Sequence, residues 1–261
     1  MFIKDVRGSV YGSVKGNVEG GVNGSVNGSV EGDVGCNVEG TVEGDVWGNI
    51  GGSVLGHIKG DVEGDVYGDV GGTVEGNVYG NVKGDVKGDV KGSIGGSVWN
   101  DVVGNVVGDV KGCIGGSVMG TVEGDIEGDV YGSVLGSVNG DVGHINGNVE
   151  NHVMGDVVGD VIGSVCGTIV GSVGGGIIGD VGYVEGSVLG DIKGNVGGDV
   201  ENDVFGSVYG DVRGDVYGNV EGNAMGNIEG YVEGNVCGDV FGSVHGQIAG
   251  KYWTSLEYKN T

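Results

Sequence analysis

The sequence predicts an all-β fold, a right-handed β-solenoid (β-helix) rod with four sides and about 16 residues per coil. Three observations predict it. Gly supplies 67 of the 261 residues and Pro supplies none. A small apolar residue, nearly always Val or Ile, recurs at every fourth position from Val6 to Val142, from Ile145 to Val181 and from Val184 to Ile248. The residue before it is mostly Asp, Asn or Ser, and the residue two before it is mostly Gly.

The four-residue period fits an extended chain with frequent corners better than a helix. A helix has 3.6 residues per turn, so a period of four would drift around its surface, and each Gly would cost it about 1 kcal/mol. In an extended chain alternate side chains share a face, which predicts Val and the Gly two before it on the inward side. Gly is expected at the corners because it adopts positive φ readily, and Asp, Asn and Ser suit tight turns.

A single strand of this kind buries too little, so stacking of coils is required. Val then stacks on Val, and the backbone of each coil pairs with the next at a spacing of about 4.8 Å. Four tetrads per coil is the favoured arrangement, and a three-sided coil of about 12 residues is the alternative that the repeat leaves open. Collagen is excluded because its Gly period is three and it is rich in Pro. Simple disorder is excluded by the regular β-branched residues.

The repeat divides the chain into three parts. Residues 1–5 are predicted to form an N-terminal cap, residues 6–249 the tetrapeptide-repeat solenoid, and residues 250–261 a C-terminal cap or tail. Terminal coils of solenoids expose their core and need such caps. Phe2, Tyr252 and Leu256 are larger apolar residues in phase with the Val positions, which supports plugs at both ends.

The tetrads "GDVK", "GNVE" and "GSVY" have a grammar of small residue, Asp/Asn/Ser and central apolar residue. In this grammar the chain resembles pentapeptide-repeat proteins, which form quadrilateral β-helices, with a four-residue G-[DNS]-[VI]-x unit in place of five. It also loosely resembles uncharacterised phage-encoded proteins built from such tetrads. The resemblance implies a right-handed four-sided coil. Because some pentapeptide-repeat proteins bind DNA gyrase, it also implies a decoy for a DNA-binding protein.

Charge is the strongest surface signal in the sequence. The chain has 37 acidic and 12 basic residues, a net charge of −25. A rod of this charge would approach the linear charge density of one DNA strand, about one charge per 3.4 Å. The sequence therefore predicts a DNA-mimic decoy that binds or inhibits a DNA-binding protein and does not itself bind nucleic acid. The densest acidic segments, expected to contact the partner, contain Asp61, Glu63, Asp65, Asp69, Glu123, Asp125, Glu127 and Asp129.

Solubility is the competing explanation of this charge. Acidic residues keep a Gly/Val rod dissolved and prevent edge association, so the alternative function is a rigid spacer or a phage particle component without DNA mimicry. The two explanations predict different charge distributions. A decoy should concentrate acid on one or two sides of the coil, and a spacer should scatter it among the basic residues.

A run of apolar residues follows the Val positions between the two three-residue steps. Outward apolar groups favour a partner surface, so this run predicts a homodimer interface, unless the steps rotate the chain and bury it. The run contains Met154, Val158, Ile162, Cys166, Val170 and Ile178.

Catalysis and cofactor binding have little support in the sequence. The four Cys occupy different places in the repeat, which argues against a disulfide or zinc framework, and no phosphate-binding loop with Gly-Lys-Ser/Thr occurs. We therefore expect no enzyme activity, no cofactor and no metal site. No segment approaches the roughly 18 apolar residues of a membrane span, and the N-terminus lacks a signal-peptide pattern, so a cytoplasmic location is expected.

Overall fold

A computed structural model describes residues 3–254 of the chain. The chain divides into two compact units, Met1–Tyr131 and Gly132–Thr261. Within the described residues there is no helix, and the ordered structure consists of short parallel strands and single parallel bridges. The all-β solenoid expected from the sequence is confirmed.

Only a few segments are extended over two or more paired residues. In the first unit they are β1 (Thr41–Val42), β2 (His57–Ile58) and β3 (Thr121–Val122). In the second unit they are β4 (Ser137–Val138), β5 (His152–Val153), β6 (Val165–Ile169), β7 (Val181–Val184), β8 (Tyr231–Val232), β9 (Asp239–Val240), β10 (Gln247–Ile248) and β11 (Trp253–Thr254). The pairs β1–β2, β4–β5, β5–β6, β6–β7, β8–β10 and β9–β11 are all parallel.

The first unit is a stack of coils in which each Val pairs with the Val 16 residues later. Val6 pairs with Val22 and Val22 with Val38, and the same relation continues to Val118. Three further ladders start at Val10, Val14 and Val18. Four ladders mean four tetrads per coil, so the three-sided alternative is excluded. We call the sides that contain these ladders sides 1 to 4 of the first unit.

The second unit repeats this arrangement and absorbs both three-residue steps. Its sides 1 to 4 carry the ladders that start at Val134, Val138, Val142 and Ile145. Where a step lies within the coil, the paired residues are 15 apart, as in Val142 with Val157 and Val173 with Val188. Each step lacks the residue that normally follows Val, so the coil is shortened by one outward position and the ladder continues.

Each Val binds the next coil through both of its backbone polar groups. The N–H of Val22 donates to the carbonyl oxygen of Asn37 at 2.9 Å, and the carbonyl oxygen of Val22 accepts from the N–H of Glu39 at 2.8 Å. Repetition of this pair of bonds along each ladder satisfies the buried backbone. The register is therefore fixed at one coil of 16 residues without long strands.

The core is a column of Val and Ile. Among the described residues the buried apolar side chains are Val, Ile and one Ala, Ala224, and no polar or charged residue is buried. Burial is nearly complete from Val14 to Val240, whereas Val10, Val244 and Ile248 are only half-buried. The end coils thus leave part of their core open, as expected for a solenoid.

The expectation that Gly shares the inward side with Val is wrong. Cys36, Asn100 and Asn151 occupy Gly positions of the repeat, and all three are exposed. The chain bends at these positions, so they form the corners between sides. The interior therefore takes only one side chain from each tetrad.

Gly is required at most corners by close approach and not by positive φ. Only Gly16 among the described residues has a positive φ, at 98°. A Cβ at Gly76, in contrast, would lie 2.3 Å from Oδ1 of Asp61 and 2.6 Å from the carbonyl oxygen of Gly60 in the preceding coil. Real Cβ atoms do not approach so closely, so the tight coil-to-coil spacing selects Gly.

The residue before each Val decides how the next coil is bound. Where it is Asp, Asn or Ser, its side-chain oxygen accepts the N–H of the residue 16 positions later, as Asp45 does for Asp61 at 3.0 Å. Where it is Thr, His or Tyr, that N–H bonds to a backbone carbonyl, as His57 does to Gly40 at 3.2 Å. This second pattern extends the pairing and explains why β1, β2, β5 and β8 lie on side 2 of their units.

The predicted caps fall partly outside the described residues. Phe2 and Leu256 lie outside them, and Tyr252 is 38% exposed. At the N-terminal end Ile3 pairs with Val18, and at the C-terminal end β11 pairs with β9. The cap boundaries at residues 5 and 250 stay a prediction.

Candidate functional site

Each side of a unit presents two outward columns of side chains. One column contains the residues before Val and the other the residues after Val, and we call them the leading and trailing columns. Neighbours within a column are one coil apart, about 4.8 Å. Trailing side chains are mostly exposed, whereas leading ones are mostly half-buried.

The predicted acidic residues do not form one patch. Asp61, Glu63, Asp125 and Glu127 lie on side 3 of the first unit, in two pairs four coils apart. The other four lie on the remaining sides: Asp69 on side 1, Glu123 on side 2, and Asp65 and Asp129 on side 4. Because consecutive tetrads wind around the coil, a dense acidic segment of sequence is dispersed over the surface. Contact of these residues with a partner stays a prediction.

Three of these carboxylates have a structural role. Asp61, Asp65 and Asp69 accept the backbone N–H groups of Asn77, Asn81 and Asp85 at 2.6, 2.8 and 3.0 Å. Asn and Ser do the same elsewhere in the leading columns, as Asn77 does for Ser93. In these positions the oxygen is needed and the negative charge is incidental.

Much of the charge on side 2 of the first unit is compensated. Its trailing column contains Glu43, Lys59, Glu75 and Lys91 in consecutive coils. Nζ of Lys59 lies 2.7 Å from Glu43, and Nζ of Lys91 lies 3.5 Å from Glu75. The hydrogen bond to Glu43 raises the pKa of Lys59. This alternating column is what a solvated spacer would present.

The acidic residues that lie together are on side 2 of the second unit, and sequence reasoning missed them. Four consecutive coils contribute eight residues, which we call the acidic strip: Tyr183, Glu185, Asp199, Glu201, Asp215, Tyr217, Tyr231 and Glu233. Across residues 3–254, none of its five carboxylates forms an ion pair with a basic side chain. The strip therefore keeps its full negative charge at the surface.

The tyrosines of the strip respond to this uncompensated charge. The hydroxyl of Tyr183 donates to Oε1 of Glu201, and this bond, with nearby carboxylates, raises the pKa of Tyr183 to about 12. Repulsion by Asp215, followed by Asp199, raises the pKa of Tyr217. Both phenols are thus held in their neutral, hydrogen-bonding form.

The signal for the strip was present in the sequence at the wrong distance. Its acids are spaced by one coil, as in Glu185 and Glu201 or Asp199 and Asp215. A search for neighbouring acids along the chain finds consecutive sides of the coil. A search at a 16-residue offset finds one side.

The predicted apolar run is exposed, so the alternative that the steps bury it is wrong. Met154 is 48% exposed, Val158 67% and Ile178 46%, and Val170 is half-buried. The run nevertheless winds around the second unit: Met154 and Val170 on side 2, Val158 on side 3, Ile162 and Ile178 on side 4, and Cys166 on side 1. A single flat dimer interface from this run is not formed, and homodimerisation stays a prediction.

A different apolar set shares one edge of the second unit. On side 4, Ile162 and Ile178 share the trailing column with Tyr209, Met225 and Phe241, interrupted by Lys193. On the adjoining side 3, Val158, Leu189 and Phe205 lie in the trailing column. All eight side chains are exposed. This is where the structure groups outward apolar residues.

The residues usual in catalysis and metal binding are dispersed. All four Cys are free. Within residues 3–254 no group of three or more His, Cys, Asp or Glu side chains has an arrangement that could hold a metal ion. Over the same range no helix has the length and apolarity needed to cross a membrane.

Fold and surface together define this chain as a β-solenoid with 16-residue coils. Comparisons with protein-family models, with curated proteins and with solved structures give no match. The architecture therefore rests on the ladders themselves. The resemblance to pentapeptide-repeat proteins in particular, and the link to phage, stay predictions.

Proposed function

We propose that the chain is a non-catalytic acidic solenoid that binds a DNA-binding protein in place of DNA. The observation that carries the proposal is the acidic strip, in which five carboxylates on one side of the second unit have no basic partner. A decoy needs charge concentrated on one side, and the strip meets that requirement.

The charge density of the strip is close to that of a nucleic acid strand. Its five carboxylates span four coils, which at a rise of about 4.8 Å per coil is about one charge per 3–4 Å. One strand of duplex DNA carries a charge about every 3.4 Å. A basic groove that binds phosphates would meet similar charge here, and the interleaved tyrosines add aromatic area of the kind enriched in protein interfaces.

The strip is also ordered by the coil. Asp199 accepts the backbone N–H of Asp215 at 2.9 Å, and Asp215 accepts that of Tyr231 at 2.8 Å. Their carboxylates are thereby held in place before a partner arrives, which lowers the entropy cost of binding.

The second candidate function is a rigid spacer whose acid only maintains solubility. The specific observation in its favour is the first unit, where acids lie on all four sides, several serve as backbone acceptors, and side 2 alternates Glu with Lys. The decoy proposal therefore assigns the binding surface to the second unit, and the spacer assigns none.

The deciding experiment uses the immobilised full chain and a bacterial lysate. Retained proteins are eluted in a salt gradient, identified by mass spectrometry and tested for displacement by duplex DNA. The strip variant neutralises its five carboxylates isosterically: Glu185→Gln, Asp199→Asn, Glu201→Gln, Asp215→Asn and Glu233→Gln. The amide oxygens keep both backbone hydrogen bonds, so the fold is preserved.

A matched variant removes the same charge from the first unit by Glu19→Gln, Asp33→Asn, Asp89→Asn, Asp101→Asn and Asp109→Asn. The proposal expects DNA-binding proteins that duplex DNA displaces, retained by the wild type and the matched variant and lost from the strip variant. Equal loss from both variants would show that net charge alone acts. Absence of any protein that DNA displaces would support the spacer.

A further inference from the structure

One side of the first unit holds a cation between two aromatic rings. In the trailing column of side 4, Tyr67, Lys83 and Trp99 occupy consecutive coils. Nζ of Lys83 lies 3.7 Å from the ring centroid of Tyr67 and 5.3 Å from that of Trp99. Together these distances approach the two-coil rise of about 9.6 Å, which places the ammonium between the rings. Both fall within the roughly 6 Å range of cation–π attraction.

The next two coils repeat the rings and omit the cation. Gly115 follows Trp99 in the column, and Tyr131 follows Gly115. The backbone stays in register, because the N–H groups of Trp99, Gly115 and Tyr131 donate to Val82, Val98 and Ile114 at 2.9, 2.8 and 2.9 Å. Trp99 and Tyr131 are 57% and 55% exposed. The two rings thus flank a position that bears no side chain.

The backbone itself keeps this position open. A Cβ at Gly115 would lie 2.1 Å from the carbonyl oxygen of Trp99. Any residue larger than Gly would have to displace that carbonyl. The coil therefore fills the position between Tyr67 and Trp99 with its own Lys and holds the position between Trp99 and Tyr131 empty.

We propose that the slot between Trp99 and Tyr131, floored by Gly115, binds an alkylammonium group such as the end of a lysine side chain from a basic partner. A group midway between rings about 9.6 Å apart lies about 4.8 Å from each, within cation–π range of both. Asp129 precedes Val130 on the same side and strengthens the negative field for a cation. The inference rests on the proposed function for the source of the lysine and on nothing else in it.

A small probe tests the slot without any partner protein. The probe is N-acetyl-lysine amide, and its side-chain-acetylated form is the neutral control of nearly the same shape. Both are titrated into the ¹⁵N-labelled full chain at constant ionic strength, and the indole N–H signal of Trp99 is followed by NMR. We expect a saturable shift of this signal with the charged probe and a shift at least several-fold smaller with the neutral form.

Three variants locate the binding. Tyr131→Ala removes one wall and is expected to weaken the apparent affinity several-fold. Lys83→Ala opens the equivalent slot between Tyr67 and Trp99 and is expected to enlarge the Trp99 shift. Tyr79→Ala, an exposed aromatic residue on side 3, is the matched control and should leave the titration unchanged.

The inference is overturned if the neutral probe shifts Trp99 equally or if Tyr131→Ala leaves the titration unchanged. Each result is independent of the pull-down experiment, because no partner and no residue of the acidic strip takes part. The slot can therefore fail while the decoy function stands, and the reverse.

Discussion

Oδ1 of Asp61 accepts the backbone N–H of Asn77, 16 residues later, at 2.6 Å. The side chain of one coil thereby completes the hydrogen bonding of the next. Asn77 repeats the relation with Ser93 at 2.8 Å, so each polar residue before Val is both a donor to the coil below and an acceptor for the coil above. The polar position of the repeat is thus part of the ladder, as Val is.

This relation predicts that the acceptor matters and the charge does not. Asp61→Ala leaves the N–H of Asn77 without its partner, and we expect a loss of about 1–2 kcal/mol in the free energy of unfolding. Asp61→Asn keeps an oxygen in the same place and should lose much less. Denaturant unfolding of both variants measures the difference. Equal destabilisation by Ala and Asn would contradict the structural role of the oxygen.

Glycine positions should differ sharply in their tolerance of alanine. At Gly76 a Cβ would meet Asp61 and Gly60 at 2.3 and 2.6 Å, whereas at Gly71 the nearest atom is Cδ2 of Leu55, at 3.4 Å. We expect Gly76→Ala to cost about 1–3 kcal/mol through overpacking. Gly71→Ala should be close to neutral and serves as the control. Thermal unfolding of the two variants gives the comparison, and similar melting temperatures would show that corner Gly is not selected by contact.

The repeat predicted the coil well because one residue type has one place in it. A period of four with Val in phase requires a column of Val, and Val22 and Val38 are paired as that column demands. Positive φ was the wrong reason for Gly, because a sequence shows conformational freedom and not the approach of the preceding coil. Gly76 is fixed by Gly60, 16 residues away, and that neighbour exists only once the coil size is known.

The surface was predicted less well for the same reason. Asp61 and Asp65 are close in sequence but lie on different sides, whereas Glu185 and Glu201 are a full coil apart and lie on one side. Side-chain pairing adds a second difficulty. Lys59 and Glu43 cancel each other only because the coil stacks them. Composition therefore gave the net charge correctly and its location incorrectly.

Tyr183 should titrate later than an ordinary tyrosine. Its hydrogen bond to Glu201 favours the neutral phenol and raises its pKa to about 12. Since the folded-state pKa is the higher one, this contact stabilises the fold fully below the ordinary tyrosine pKa of about 10. The contribution is then lost as the pH rises from about 10 towards 12. Glu201→Gln should lower the pKa, and ultraviolet titration of the phenolate follows the change.

Glu229→Gln is the matched control for that titration, because Glu229 lies on side 1 near Arg213 and is absent from the causes of the Tyr183 shift. It should leave the late-titrating phenol in place. A wild-type chain in which all tyrosines ionise together near pH 10 would show that the bond between Tyr183 and Glu201 does not persist in solution.

Asp69 should remain ionised to lower pH than an ordinary aspartate. The ammonium of Lys87 donates to Oδ2 of Asp69 at 2.8 Å, and the N–H of Asp85 donates to Oδ1 at 3.0 Å; these two bonds, in that order, lower the pKa of Asp69. Because the folded-state pKa is depressed, the stabilisation is present above the unfolded value of about 3.8 and is lost as the pH falls through the folded value. Lys87→Ala should raise the pKa of Asp69 only part of the way, since the bond from Asp85 remains. A carboxyl-carbon NMR titration measures it, with Lys91→Ala, which removes a lysine paired with Glu75 on another side, as the control. A full return to the ordinary value in Lys87→Ala would mean that the backbone N–H of Asp85 contributes nothing to holding the charge.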